Sequence, residues 1–490
     1  MSKPLLCVTV TAATTAELRA RRDAVVDADL VELRLDTVRD PAAAAALEGR
    51  RRPVIVTCRP TWEGGSFAGS EEERKRILAD ALALGAEYVD IEWRAGFDDL
   101  IAQTGGRRIV LSSHDFSGVP ADLAARVQAM RGTGAEVVKL AALMKRLSDC
   151  VPLLEIGAQR SRHGGTVLIG IGPYGVATRV LAGRFGSAWT YAGDVKEVGQ
   201  ISAASLLRDF HFRSLSDSTE VYGIAGGSVG HSVSPWMHNA AFHASRIDAV
   251  YVPMPAVSAD DFLDFARAIG IRGASVTIPF KVALFDATDE VYAVARRIGA
   301  INTIRVEGKR WIGGNTDASG FLEPLQQRVT LNGMRVAVLG AGGAARAVVV
   351  ALGSAACSIT VHARTRAKAE EVARLASVHV GPWPPEPGSW DILVNCTPVG
   401  MYPSVEETPM RADQMTGRYV YDLIYNPMTT RLLRDAETAG CQPIGGLEML
   451  VAQAREQFEW WTGTRPRPGV MREAAQRRLA EFARDENHDV

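Results

Sequence analysis
Residues 137–143 read VVKLAAL, an apolar run broken only by Lys139. Such a run belongs to a strand buried on both faces. A lysine is almost never fully buried unless its charge is compensated. Burial and neighbouring cations disfavour the ammonium form, and the neutral amine that results can attack a ketone and form an imine. Lys139 is therefore a candidate Schiff-base nucleophile. The structural alternatives are a lysine snorkelling to the solvent or one paired with Glu92. Other reactive side chains close other strand-like runs. Glu32 and Arg34 lie in LVELRLD, Arg59 follows PVIVTC with Glu63 just beyond, and His114 ends RIVLSSH. Arg179 and Gln200 come later. Arg34, Arg59 and Arg179 suit the carboxylate or hydroxyls of a polar acid, and His114 can shuttle protons. Each alone reads as a solvated rim residue, but together they describe a site.

A second set lies in the other half of the chain. Ser232 and Ser234 precede a helix that Pro235 can start; their hydroxyls suit a carboxylate or a simple N-cap. VTIPFK contributes Thr277 and Lys281, GAINT contributes Asn302, and GGNTD contributes Asp317. A Lys281–Asp317 pair could give a proton to a developing alkoxide while a hydride arrives; it could equally be a surface salt bridge. MRVAVLGAGGAARAVVVALG is a strand, a glycine turn and a helix, the context a dinucleotide fingerprint requires. Its turn holds Gly340, Ala341, Gly342, Gly343 and Ala344, with Ala345 in place of the third glycine. About twenty residues on, where an NAD site places an acid, stands HARTRAK. Arg364, Thr365, Arg366 and Lys368 there suit a 2′-phosphate, hence NADP as cofactor.

These residues need elements to hold them. The first ~215 residues alternate strand and helix patterns. The strand runs are LLCVTVT, LVELRLD, PVIVTCR, YVDIEW, RIVLSSH, VVKLAAL, TVLIGIG and AWTYAG, which predicts a closed (β/α)8 TIM barrel with chemistry at the C-terminal strand ends. RSLSDSTE, residues 213–220, is polar and turn-rich and reads as a linker between separable halves. Beyond it VYGIAGG, VYVPMP and GASVTIPF are strand-like, NTIRVEGKRWIGGNTD reads as a hairpin, and SITVHAR, DILVNCTPVG and YVYDLIYNP extend the nucleotide-binding sheet. Two helices close the chain.

The chain has 490 residues, too many for one core, and a net charge of −1 from 55 basic and 56 acidic residues. That balance argues against nucleic acid or an anionic membrane as a main partner. Six separated cysteines without a CxxC pair predict neither disulfides nor a metal site. With no signal-like start and no long apolar run, a soluble, cytoplasmic protein is expected. The oligomeric state is left open, with a monomer compatible.

Residues 5–205 resemble type I 3-dehydroquinate dehydratase through ELRLD, TCRPTWEGG, SSHDF, VVKLA, the Arg179 segment and GQIS. The resemblance implies that Lys139 forms the imine with 3-dehydroquinate, that His114 is the general acid/base assisted by Glu63, and that Glu32, Arg34, Arg59, Arg179 and Gln200 bind substrate. Lys196, in KEVGQ, stands where the family has a serine. Residues 219–485 resemble shikimate dehydrogenase through HSVSP, VTIPFK, GAINT, GNTD, GAGGAAR, ART, NCTPVGM, DLIYNP and GLEMLVAQA. This resemblance assigns Ser232, Ser234, Thr277, Asn302, Tyr425 and Gln453 to substrate, and Lys281 and Asp317 to catalysis. It assigns Gly340 to Ala344, Arg364, Thr365, Lys368, Thr397 and Gly446 to the cofactor. It also implies a substrate-binding domain at 219–328 plus 447–490 around a Rossmann domain at 329–446, after a barrel at 1–215. The dehydratase-first order resembles the fused enzyme of plants. The expected function is dehydration of 3-dehydroquinate followed by NADPH-dependent reduction of 3-dehydroshikimate to shikimate. A catabolic quinate/shikimate dehydrogenase fusion, a metabolite-sensing regulator that kept the folds, and a Schiff-base aldolase fused to a reductase are the competing readings.

Overall fold
The computed structural model describes residues 3–159, 164–193, 195 and 198–486. Lys196 lies outside them. Eight parallel strands open the chain: β1 (Leu5–Val10), β2 (Leu30–Arg34), β3 (Val54–Thr57), β4 (Tyr88–Glu92), β5 (Ile109–Asp115), β6 (Val137–Leu143), β7 (Gly165–Ile171) and β8 (Trp189–Ala192). Their order is β7-β6-β5-β4-β3-β2-β1-β8. The barrel is closed more loosely than the eight runs suggest. Among the described residues strands β7 and β8 share no ladder; Ala188, just before β8, donates its N–H to Thr166 O at 2.7 Å.

Alternate residues of a strand face the same side. Cys7, Leu30, Ile55, Val110, Val137, Val167 and Trp189 therefore pack together as an apolar floor inside the barrel. Two residues further along the same strands come Thr9, Glu32, Thr57, Ser112, Lys139 and Tyr191. Tyr88 packs against the floor, and Asp90 follows it in the same way. The next step up brings Arg34, Arg59, Glu92 and His114. The helices outside obey their own period. In Glu71–Ala83, the Ser70 hydroxyl caps the Glu73 N–H at 3.1 Å, three glutamates fill the first turn, and Ile77, Leu78, Ala81 and Leu82 are buried.

A second sheet contains β9 (Glu220–Gly226), β10 (Ala249–Pro255), β11 (Gly273–Val276), β12 (Glu290–Val291), β13 (Thr303–Glu307) and β14 (Arg310–Gly314). Its order is β10-β9-β11-β13-β14-β12, and β13 and β14 form the expected hairpin. The third sheet contains β15 (Arg335–Leu339), β16 (Ser358–His362), β17 (His379–Val380), β18 (Ile392–Asn395), β19 (Tyr419–Asp422) and β20 (Gln442–Ile444). It is parallel throughout, in the order β17-β16-β15-β18-β19-β20. This is the doubly wound order of dinucleotide-binding sheets.

Packing divides the chain into two compact units. One holds residues 1–221, 228–230 and 248–270; the other holds 222–227, 231–247 and 271–490. The polar stretch at 213–220 is no loose tether. Arg184 donates to Asp217 O at 3.2 Å and Thr219 O at 2.8 Å, and the Thr219 hydroxyl donates to Asp248 at 2.7 Å. Among the described residues no helix is long and apolar enough to cross a membrane.

In the second unit, helix Gly446–Thr462 packs against helix Asp317–Gln326. A Cβ at Gly320 would lie 2.6 Å from Gln453 Cβ and 2.8 Å from its backbone nitrogen. Gly320→Ala is expected to destabilise the second unit by about 1–3 kcal/mol through overpacking. An unchanged urea midpoint for the full chain would show that the helices part at no cost.

Candidate active sites
Lys139 is buried in the barrel, as a mid-strand position in β6 requires. Its neighbours include the expected cation, since Arg59 contacts the same Asp90 oxygen, but its carboxylate partners are not Glu92. Its Nζ lies 3.0 Å from Asp90 Oδ2 and 3.5 Å from Glu32 Oε1, and 4.3 Å from the centre of the Tyr191 ring. Glu92 points to other cations: it accepts from Arg59 Nη1 at 2.8 Å and pairs with Arg74. The strand period explains the exchange, because Asp90 stands one inward-facing step below Glu92.

The carboxylates are held from both sides. Glu32 accepts the Thr9 hydroxyl at 2.8 Å and the Thr57 hydroxyl at 2.9 Å. Asp90 accepts the Ser112 hydroxyl at 2.5 Å and pairs with Arg59 at 3.1 Å. Burial opposes ionisation of Glu32, but Lys139, Arg34 and Arg59 outweigh it and hold the carboxyl below its usual range. Burial acts on Asp90 too, and Arg59 and Lys139 hold it well below.

His114, one residue before the end of β5, stands beside this group. Its Nδ1 and its backbone N–H both lie 2.9 Å from Glu63 Oε1, so one carboxylate oxygen fixes the ring and the strand end. Burial, Arg59 and Lys139 keep the imidazole well below its usual value, which favours the neutral base. Burial raises the Glu63 carboxyl to about 7. Arg34 is committed to Asp36, with contacts of 2.8 and 2.7 Å. Arg179 is buried and donates only to the carbonyls of Tyr191 at 3.4 Å and Val198 at 3.1 Å among the described residues. Burial lowers it to about 10. Gln200 Oε1 accepts the Val195 N–H at 3.0 Å.

In the second unit, Lys281 Nζ donates to Asp317 Oδ2 at 2.6 Å. Asn302 Nδ2 donates to Asp317 Oδ1 at 2.7 Å and lies 3.4 Å from Gln453 Oε1. The Ile301 N–H donates to Lys281 O at 2.9 Å, and the Val276 N–H donates to Asn302 O at 2.7 Å, so VTIPFK, GAINT and GNTD converge. Thr277 continues past β11 and donates its N–H to Ala225 O at 2.9 Å. Ser234 is buried at the start of helix Ser234–Ser245, and its N–H donates to Ser232 Oγ at 3.2 Å. Ser232 is half-buried on the segment after β9, the strand beside β11. Tyr425 is half-buried just beyond β19.

The glycine turn opens helix Gly343–Leu352. Gly340 has a positive φ of 106°, and a Cβ there would come within 3.1 Å of Thr397 Cγ2, so only glycine fits. Gly342 faces open space, and a Cβ at Gly343 would lie 3.7 Å from Lys281 Cδ. The free N–H groups of that helix start suit a pyrophosphate, and the Lys281–Asp317 pair stands next to them. Ala341 and Ala344 are half-buried at the turn. Arg364, Thr365 and Lys368 are exposed just past β16, and the side chains of Arg364 and Lys368 have no ion-pair partner among the described residues. Arg366, expected to share the phosphate, pairs with Glu370 at 3.0 Å along the helix. These exposed groups and the open turn fit a dinucleotide carrying a 2′-phosphate. Gly446 is set against the backbone of Leu423 and Ile424, where a Cβ would fall 2.4 Å away.

Sequence reasoning missed Asp90, Ser112, Thr57 and Tyr191 in the barrel. The signal for Asp90 was present, since YVDIEW places two acids on one face of a buried strand. It also missed Asp422, which accepts from Asn395 at 3.0 Å and Thr430 at 2.6 Å; burial raises it to about 6.

The eight-stranded barrel with its polar strand ends fits a lyase. The units after it define a dinucleotide-linked reductase. Residues 6–217 match the model of type I 3-dehydroquinase, 224–304 that of the shikimate dehydrogenase substrate binding domain, and 446–476 that of the shikimate 5′-dehydrogenase C-terminal domain. The bifunctional 3-dehydroquinate dehydratase/shikimate dehydrogenase, chloroplastic, of Arabidopsis thaliana is 33% identical over 473 residues, spanning 89% of this chain and 78% of its own. The NADP(+) shikimate dehydrogenase of Shouchella clausii is 40% identical over 51% of this chain and 94% of its own. The structure of shikimate 5-dehydrogenase from Thermus thermophilus with NADP(H) and shikimate aligns at a TM-score of 0.50 and 35% identity, over 53% of this chain and 99% of that one. The chain belongs to the family of bifunctional 3-dehydroquinate dehydratase/shikimate dehydrogenases.

Glu63 also makes a prediction about pH. Its folded value of about 7 lies above the ordinary 4.5, so its contribution to stability is full below about pH 4.5 and is lost as pH rises through about 7. Glu63→Gln should therefore gain stability relative to the unsubstituted chain as pH climbs through that window, read as the difference in unfolding midpoints. A constant difference would place the Glu63 proton elsewhere.

Proposed function
We propose that the barrel dehydrates 3-dehydroquinate through Lys139 and that the second unit reduces the product, 3-dehydroshikimate, to shikimate with NADPH. The observation that carries the first step is the buried Lys139 with Asp90 at 3.0 Å, beside a His114 that burial keeps neutral. After losing a proton, the amine adds to the ketone carbon and water leaves, giving an iminium. His114 takes a proton from the adjacent carbon, and the electron pair moves toward the iminium nitrogen. The pair returns to expel the β-hydroxyl, which departs as water with the proton His114 carries. Hydrolysis then frees the product and Lys139. Glu63 orients the imidazole; Glu32, Arg34, Arg59, Arg179 and Gln200 hold the substrate's hydroxyls and carboxylate.

For reduction, bound NADPH supplies a hydride to the carbonyl carbon. Lys281, held by Asp317 at 2.6 Å, gives the proton to the carbonyl oxygen. Ser232, Ser234, Thr277, Asn302, Tyr425 and Gln453 bind the ring acid. Residues 340–344, Thr397 and Gly446 receive the nucleotide, and Arg364, Thr365 and Lys368 its 2′-phosphate. In domain terms the first enzyme is residues 1–215; the second is 219–328 with 447–490 around the nucleotide domain at 329–446. A cytoplasmic location fits the six cysteines, all free thiols, as a reducing compartment would keep them.

Borohydride added with 3-dehydroquinate should inactivate dehydration and fix mass on the peptide containing Lys139. Lys139→Met should abolish dehydration and leave reduction intact. Label on another lysine would overturn the mechanism.

Arg364→Ala should raise the KM for NADPH by at least about tenfold, the loss of a charge-assisted phosphate contact, with little change for NADH. Equal losses with both cofactors would make Arg364 a support for its loop.

A further inference from the structure
The compact unit built on the barrel contains residues 248–270, which fall inside the stretch matching the shikimate dehydrogenase substrate binding domain. Strand β10 packs on helix Val176–Val180, which carries Arg179. Helix Ala259–Ile269 packs on the turn Leu147–Cys150 and on helix Val151–Ala158, which follow the Lys139 strand. Two charged side chains join these parts by different means. Asp261 is only 4% exposed. Its carboxylate accepts the N–H groups of Leu147 at 3.1 Å, Ser148 at 2.8 Å and Val257 at 2.9 Å. Arg184, half-buried, donates to the carbonyls of Ile269 at 3.0 Å, Asp217 at 3.2 Å and Thr219 at 2.8 Å.

A buried carboxylate satisfied by backbone N–H groups of another segment cannot be parted from them without desolvated charge left behind. A loosely docked helix would not place one there. The turn that Asp261 caps also reaches toward His114. Lys145, two residues before Leu147, lies against Gly118, where an added Cβ would be 3.6 Å from Lys145 Cε. Phe116, in the same loop as Gly118, stacks on His114 with ring centres 6.3 Å apart.

We propose that Asp261 is a positioning residue for the dehydratase: it fixes the turn after the Lys139 strand, while β10 backs the helix of Arg179. The segment that carries them is matched to the other enzyme but is a working part of this one. The proposal rests on the assignment of dehydration to the barrel; that assignment fails by its own sign, an untrapped Lys139.

The test uses the full chain. In Asp261→Ala, amide exchange of the peptide covering 144–150 should accelerate by about tenfold, the loss of a hydrogen bond to a charged acceptor. The KM for 3-dehydroquinate should rise by about threefold or more, while both constants for 3-dehydroshikimate reduction stay within about twofold. Asp261→Asn, which keeps one acceptor oxygen, should fall between. A merely structural role would lower the unfolding midpoint without moving the dehydratase KM, and that result overturns the proposal, as does unchanged exchange at 144–150. If neither variant folds, the unsubstituted chain decides. With rising urea, peptides 144–150 and 259–269 should lose protection together. Loss of 259–269 in step with 335–339 while 144–150 stays protected overturns it.

Discussion
A cation in the middle of a packed barrel sets the terms for the dehydratase half. An uncompensated buried charge costs several kcal/mol, so Lys139 demands carboxylates within reach. Asp90 and Glu32 meet that demand, and each then brings its own requirements: hydroxyls from Thr9, Thr57 and Ser112, and the guanidinium of Arg59. Glu92 and Arg74 complete the chain of alternating charges. Every strand from β1 to β6 contributes to this layer, so it exists only when they are neighbours around one curved sheet. The apolar floor beneath offers it no alternative partner, and the charges are held at the end where chemistry is done.

The reductase half meets a lighter version of the same problem. Lys281 and Asp317 pair with their side chains partly exposed, and Asn302 keeps the second carboxylate oxygen occupied. The constraint here is close approach of backbones rather than burial of charge. Gly320 lets the helix of Gln453 come near Asp317, Gly340 lets the nucleotide turn pass Thr397, and Gly446 lets a helix begin against β19's end. One glycine turn thus stands beside Lys281, the proximity that transfer between a bound cofactor and a substrate would require.

The boundary between the two enzymes in sequence is not the boundary in packing. RSLSDSTE reads as a linker by composition, yet its carbonyls satisfy Arg184 and its threonine bonds Asp248. Polar turn chemistry marks where a chain changes direction; whether the turn is free depends on which buried donors and acceptors lie across from it.

The eight strand runs, the nucleotide turn and the basic loop after β16 were legible in sequence because each is local: periodicity, glycine spacing and charge lie within a few residues of one another. His114 and Glu63 were named from positions at or just past strand ends, Lys281 and Asp317 from VTIPFK and GNTD, and the fold brings each pair together. What sequence could not decide was partnership across the barrel. The sequence offered Glu92 as a partner for Lys139, but register places Asp90 one step lower, within reach; helix pitch likewise sets Glu370 one turn from Arg366. The sequence by itself determined which groups are present and which face of each strand they share. Only the tertiary structure decided which charges meet and where the segment 248–270 belongs, because burial and distance between remote residues are properties of packing, and a single strand or helix carries no record of them.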